Sequence, residues 1–130
     1  MSDSLSAATD LTVFNVDTML KYMGNDAKAL AVVSKIVGDA IAPGRGQLEQ
    51  AGAAMREGRV DDACRVFHVM RGTVGSLVAK RFVQAALALE LALREGRSEQ
   101  FATLLAALTD EYQLVLEQAT GWLGRNGANA

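Results

Sequence analysis

Apolar residues along this chain recur every three or four positions, in blocks closed by glycine, and no useful stretch alternates with period two. That spacing lines one face of a helix and gives a strand no core face. Leu30, Val33, Ile36, Val37 and Ala40 form one stripe, which Leu48, Ala51 and Met55 continue. Phe82, Ala86, Leu89 and Leu93 form another. Phe101, Leu104, Leu105, Leu108, Tyr112, Val115, Leu116 and Ala119 form the longest. Strands are not expected.

The punctuation between stripes sets the helix bounds. Asp17 caps a short helix over Thr18 to Met23, which Gly24 ends in a left-handed turn. Asn25 or Asp26 caps the next helix. Pro43 removes a backbone donor and kinks or restarts it before Gly58 closes it. A third helix begins near Val60, with Asp61 and Asp62 at the positive end of its dipole, and runs to about Leu77. Ala79 to Arg94 make a fourth, stopped by Gly96. Ser98 caps a fifth, which Gly121 ends. Short connections between long amphipathic helices make antiparallel neighbours. The expected fold is all-α: an antiparallel up-down four-helix bundle over residues 13–123 with a short additional N-terminal helix. Residues 1–12 and 124–130 are expected to be flexible ends.

With 130 residues the chain can bury one core without staples. One cysteine excludes a disulfide framework, and one histidine excludes a multi-histidine metal site or two-imidazole catalysis. No metal or cofactor is expected. The polar N-terminus lacks the pattern of a signal peptide, and Val83 to Leu93, broken by Gln84 and Glu90, is too short to span a bilayer. Together with the unpaired cysteine this indicates the cytoplasm. A net charge of -2 argues against nucleic acid as a partner. The opening Met1 favours a standalone protein.

The third helix is the informative one. Ala63, Val66, Phe67, Met70, Val74 and Leu77 share a face that must meet the core. His68 lies roughly opposite, and Gly72, Gly75 and Ala79 follow it along the outward stripe. Glycine within a helix costs about 1 kcal/mol relative to alanine, and a surface position has no need of one. Something is therefore expected to approach closely beside the imidazole. From Ala63 to Leu89 there are four basic residues (Arg65, Arg71, Lys80 and Arg81) and no acid. Arg71 and Arg65, one turn to either side of His68, are within reach of an anion held on the ring. An exposed neutral imidazole is a competent nucleophile without activation, so the pattern suits a ring that takes a phosphoryl group from a partner carrying the catalytic machinery.

The segment FHVMRGTVGSLVAKRFVQAALALELALREG resembles the signature of the histidine phosphotransfer (HPt) domain of bacterial multistep phosphorelays. His68, Arg71, Gly72, Ala79, Phe82, Leu89 and Glu90 stand at the offsets of that pattern. The resemblance extends in helix order from Asp17 to about Ala119. Arg71 replaces the usual lysine, which keeps the charge and alters donor geometry. Val78 stands where the family usually has glycine, so the turn into the fourth helix is expected to be less tight or slightly shifted.

The resemblance implies a phosphocarrier rather than an enzyme. His68 would take a phosphoryl group on Nε2 from a receiver-domain aspartate of a hybrid sensor kinase and pass it to a response regulator. Mg²⁺ would be needed only in the receiver. Arg71, Gly72, Gly75, Arg65 and Lys80 would touch the phosphate or the partner, and the carrier would be a monomer. No Gly-rich phosphate loop follows a strand, which argues against an autonomous kinase. A non-phosphorylated helical interaction module, binding a receiver domain or another signalling partner, is the alternative. A haem site with His68 as axial ligand suits an outward ring poorly. Cys64 reads as a partly buried small residue, Met19, Met23, Met55 and Met70 as packing, and Trp122 as a cover over the bundle end.

Overall fold

The structure, a computed structural model, describes residues 11–126. It contains α1 (Asp17–Tyr22), α2 (Ala27–Ile41), α3 (Gly44–Arg56), α4 (Val60–Gly75), α5 (Lys80–Glu95), a 3-10 turn (Ser98–Gln100) and α6 (Phe101–Asn126). The fold is an all-helical bundle, and no strand is present among the described residues. Helices α3 to α6 pack each against the next, and α2 closes the bundle against α6. Of the expected flexible ends, residues 1–10 and 127–130 lie outside the described residues.

The apolar stripes are the core. Val33, Val37, Phe67, Met70, Val74, Leu77, Phe82, Leu89 and Leu108 are fully buried. A large apolar side chain buried this way contributes about 1.5–3 kcal/mol relative to leaving it in water. Helices α2 and α3 are two arms of one kinked helix. Ala42 and Pro43 keep right-handed dihedrals, and the peptide N–H of Gln47 still donates to the Pro43 carbonyl. The Tyr112 hydroxyl donates to the Ile41 carbonyl, which sits at the kink that the proline imposes. Gly44 makes room for that ring: a Cβ there would stand 2.3 Å from Tyr112.

Several helix ends differ from expectation. Val16 stands at the N-cap of α1 and Asn15 Oδ1 accepts from the Asp17 N–H, so Asp17 is the first helical residue and not the cap. Of the two expected caps for α2, Asp26 is the one used, accepting at 2.8 Å from the Ala29 N–H. Ser98 opens the 3-10 turn ahead of α6. Helix α6 continues through Gly121 to Asn126, because Trp122 and Ala119 on its last turns are buried, and that burial outweighs the glycine penalty. Residues 124–126 are thus helical and not tail, and Thr12 is fixed, its carbonyl accepting from the Arg81 N–H.

The α4–α5 turn closes tightly with Val78 itself in the left-handed region, at φ +58°. A β-branched residue there carries strain of order 1–3 kcal/mol and persists only when its surroundings fix it. The N-terminal segment supplies that constraint. The Asn15 N–H donates to the Leu77 carbonyl on one side of Val78, and Thr12 accepts from Arg81 on the other. Val78 thus takes the left-handed conformation that a glycine would adopt without strain. The corresponding turn after α5 uses Gly96, at φ +69°, without strain.

Candidate functional site

Helix α4 puts Phe67 wholly in the core and His68, the next residue, on the exposed face midway along the helix. The ring is not free to turn. Nη2 of Arg71, one helical turn on, lies 2.8 Å from His68 Nδ1. Arg71 is in turn anchored on α5, where its Nε and Nη2 donate to the two carboxylate oxygens of Glu90 at 2.6 and 3.2 Å. Glu90 is 1% exposed, the one charged residue among the buried ones described. Fork-to-fork pairing of this kind is what a buried carboxylate requires. The Glu90 bond pushes the Arg71 guanidinium above its ordinary value, keeping it charged. His68 Nε2 has no protein partner among the described residues.

A shallow hollow beside the ring is lined by Asp61, Cys64, Arg65, His68, Glu90 and Arg94. The stretch without acids in the sequence is therefore not without acids in space. Asp61 and Glu90, which flank that stretch in the chain, return to the ring through the helix turn and the α4–α5 packing. Three of the four cations in that stretch meet a carboxylate: Arg71 with Glu90, Arg65 with Asp62, and Arg81 with Glu111 at 2.9 Å on α6. Arg65 stays exposed in the hollow. Asp62, held by Arg59 and Arg65, falls below its usual carboxylate value.

The small residues divide. Gly72 is exposed, and a Cβ added to it would meet nothing within 4 Å, so the surface above it is open toward the ring's side of the helix. Gly75 serves the bundle: a Cβ there would come to 3.0 Å from Val83 Cγ2, so close packing of α5 accounts for it. Ala79 is fully buried before α5 and leaves the outward stripe altogether, because the turn at Val78 reverses the chain. Lys80 opens α5 and lies about 15 Å along that helix from Glu90, outside the hollow. Arg81 is likewise turned to α6.

Three neighbours of the ring were not among the sequence candidates: Glu90 as a structural partner of Arg71, Arg94, and Val69, which is 53% exposed on the other flank of His68. The signals for Glu90 were its offset in the family pattern and a carboxylate between Ala86 and Leu93 on an otherwise apolar stripe. Cys64 is partly buried, and burial pushes its thiol up, which suits packing and not reactivity. Met70 is buried in the core, with Met19 and Met55 packed against it, and Met23 is exposed. Among the described residues no helix is long and apolar enough to cross a membrane.

Comparison with known families places this geometry. The family model of the Hpt domain matches residues 36–118, from the last turns of α2 to the later turns of α6. No curated protein and no solved structure matches the chain. The match spans more than half of the sequence and includes His68, Arg71 and Glu90, and by it the chain belongs to the Hpt domain family, the histidine phosphotransfer domains of two-component phosphorelays.

Proposed function

We propose that this chain is a phosphocarrier in which His68 Nε2 takes a phosphoryl group from a receiver-domain aspartate of a hybrid sensor kinase and delivers it to the aspartate of a response regulator. The observation that carries this is the exposed imidazole, held through Nδ1 by Arg71, with no partner on Nε2 among the described residues and open space over Gly72 one turn on. A nucleophile that must meet a recessed aspartyl phosphate needs such a reach, and a side chain at position 72 would stand in the way. Little covalent chemistry is left for the carrier in such a transfer, which depends on positioning and on charge stabilisation. The receiver would bring the aspartate and Mg²⁺. Arg65 and Arg94 line the hollow and are placed to offset added negative charge.

The test is transfer of labelled phosphate from a phosphorylated receiver domain. The label is expected on the native chain, stable to base and labile to acid, and absent from His68→Gln. Label persisting on folded His68→Gln would overturn the assignment. A pure interaction module predicts instead that His68→Gln retains full signalling.

A further inference from the structure

We infer that the outward face of α5 is a self-association surface, on which two copies of this chain meet about a two-fold axis with their α5 helices antiparallel. Between Lys80 and Arg94 the exposed residues of α5 are Gln84, Leu87, Ala88 and Leu91, none of them charged. Leu87 and Leu91 are 42% and 44% exposed, one helical turn apart. At about 100° per residue these positions lie opposite the buried stripe of the same helix, from Phe82 to Leu93. The core of the bundle therefore does not account for them. A single exposed leucine is ordinary, whereas two stacked beside an alanine on an uncharged face form a patch.

The two ends of that face decide what fits it. Lys80 and Glu95 are the first and last residues of α5, both exposed and both on the outward side. Each stands against the dipole of its own helix, which favours an anion in the first turn and a cation in the last. The Lys80 ammonium meets no carboxylate among the described residues. Glu95 pairs with Arg97 at 3.0 Å, and a carboxylate can accept further bonds. Arg94, the other charge at that end, turns to the hollow beside His68.

Lys80 and Glu95 each stand about 11 Å along the helix from the midpoint between Leu87 and Ala88. A second α5 laid antiparallel about that midpoint brings Lys80 level with the partner's Glu95 at both ends. It also sets Leu87 against the partner's Ala88, large beside small. Each glutamate then faces the positive end of the partner helix and each lysine the negative end. A parallel pairing would set lysine against lysine and glutamate against glutamate. The antiparallel contact uses the same patch on both copies, so it closes as a dimer.

None of Lys80, Leu87, Leu91 and Glu95 lines the hollow beside His68, so this surface is separate from the phosphoacceptor. A face 16 residues long buries less than the roughly 1,200 Å² of a stable complex, which makes the association weak and concentration-dependent. The monomer that the resemblance implies is then the form at low concentration.

The experiment is sedimentation equilibrium of the full chain from about 10 µM to about 1 mM, with each variant checked for folding by circular dichroism. The native chain is expected to pass from monomer toward dimer over that range. Leu87→Gln/Leu91→Gln should weaken association by about tenfold or more. Lys80→Glu places like charges at both ends and should weaken it about fivefold, and Lys80→Glu/Glu95→Lys should recover it. A native chain that stays monomeric throughout overturns the inference, as does association that the two leucine substitutions leave unchanged. Weakening by Lys80→Glu without recovery in the double reversal overturns the antiparallel register. Slower phosphate transfer from a receiver in Leu87→Gln/Leu91→Gln, with sedimentation unchanged, would give the face to the receiver and equally overturn it.

Discussion

Phe67 and His68 are adjacent in the chain and face opposite ways: one ring is wholly buried between helices, and the other is exposed on the bundle surface. The helical step of about 100° per residue produces this contrast without any long-range instruction. On the inner face of α4 each side chain answers to packing. On the outer face they answer to something outside the molecule, and one turn of helix holds both kinds of constraint. Stability and transfer should therefore separate residue by residue.

The widest separation is expected between those two neighbours. Phe67→Ala should cost about 3–5 kcal/mol in urea unfolding, from lost burial and the cavity left behind. His68→Gln should stay within about 0.5 kcal/mol of the native chain while abolishing phosphate transfer. Comparable losses of stability from both would break the contrast. Glu90 tests where the boundary between the faces lies, because it is buried yet serves the outer one. Glu90→Ala should cost about 2 kcal/mol in chemical denaturation, since Arg71 loses its partner.

Gly72→Ala sharpens the comparison from the other side. With nothing near its Cβ, the substitution should stabilise the helix by about 1 kcal/mol while slowing transfer from a phosphorylated receiver. Gly75→Ala should not stabilise in the same way, because Val83 must move. Val78→Gly relieves the left-handed valine and should raise the thermal midpoint by the equivalent of about 0.5–1 kcal/mol, the greater freedom of glycine in the unfolded chain offsetting part of the gain. The smallest effect is expected at Asp62, whose pairing with Arg59 and Arg65 lowers its pKa. A carboxylate depressed in the folded state adds stability that is complete above its ordinary value of 3.8 and disappears as pH falls through the folded value. Asp62→Asn should flatten the acid limb of the stability profile slightly, measured by unfolding between about pH 4 and 2.

Whatever depends on neighbours in the chain was legible from residues alone: the stripes, most glycine stops, the kink at Pro43, and the outward position of His68. Whatever depends on two helices meeting was not. Arg71 and Glu90 are 19 positions apart, and only the α4–α5 packing reveals that the apparent acid-free zone holds a carboxylate against its key arginine. Ala79 left the outward stripe because a turn, not a helix, follows Gly75. Gly121 failed to end α6 because burial of Trp122, a tertiary effect, overrode a local preference. The family pattern marked Glu90 by offset without showing what it touches.

The two hydrogen bonds that tie residues 12 and 15 across the Val78 turn also bear on the order of assembly. Helices α3 to α6 meet their chain neighbours, so their contacts are local and should form early. The tie between Asn15 and Leu77 closes a far longer loop and gains nothing until both α4 and α5 are in place. Val78 must then enter its strained conformation late, as the N-terminal segment docks. The histidine helix would thus acquire its final C-terminal boundary in the last step of folding, after the core that carries it has already formed.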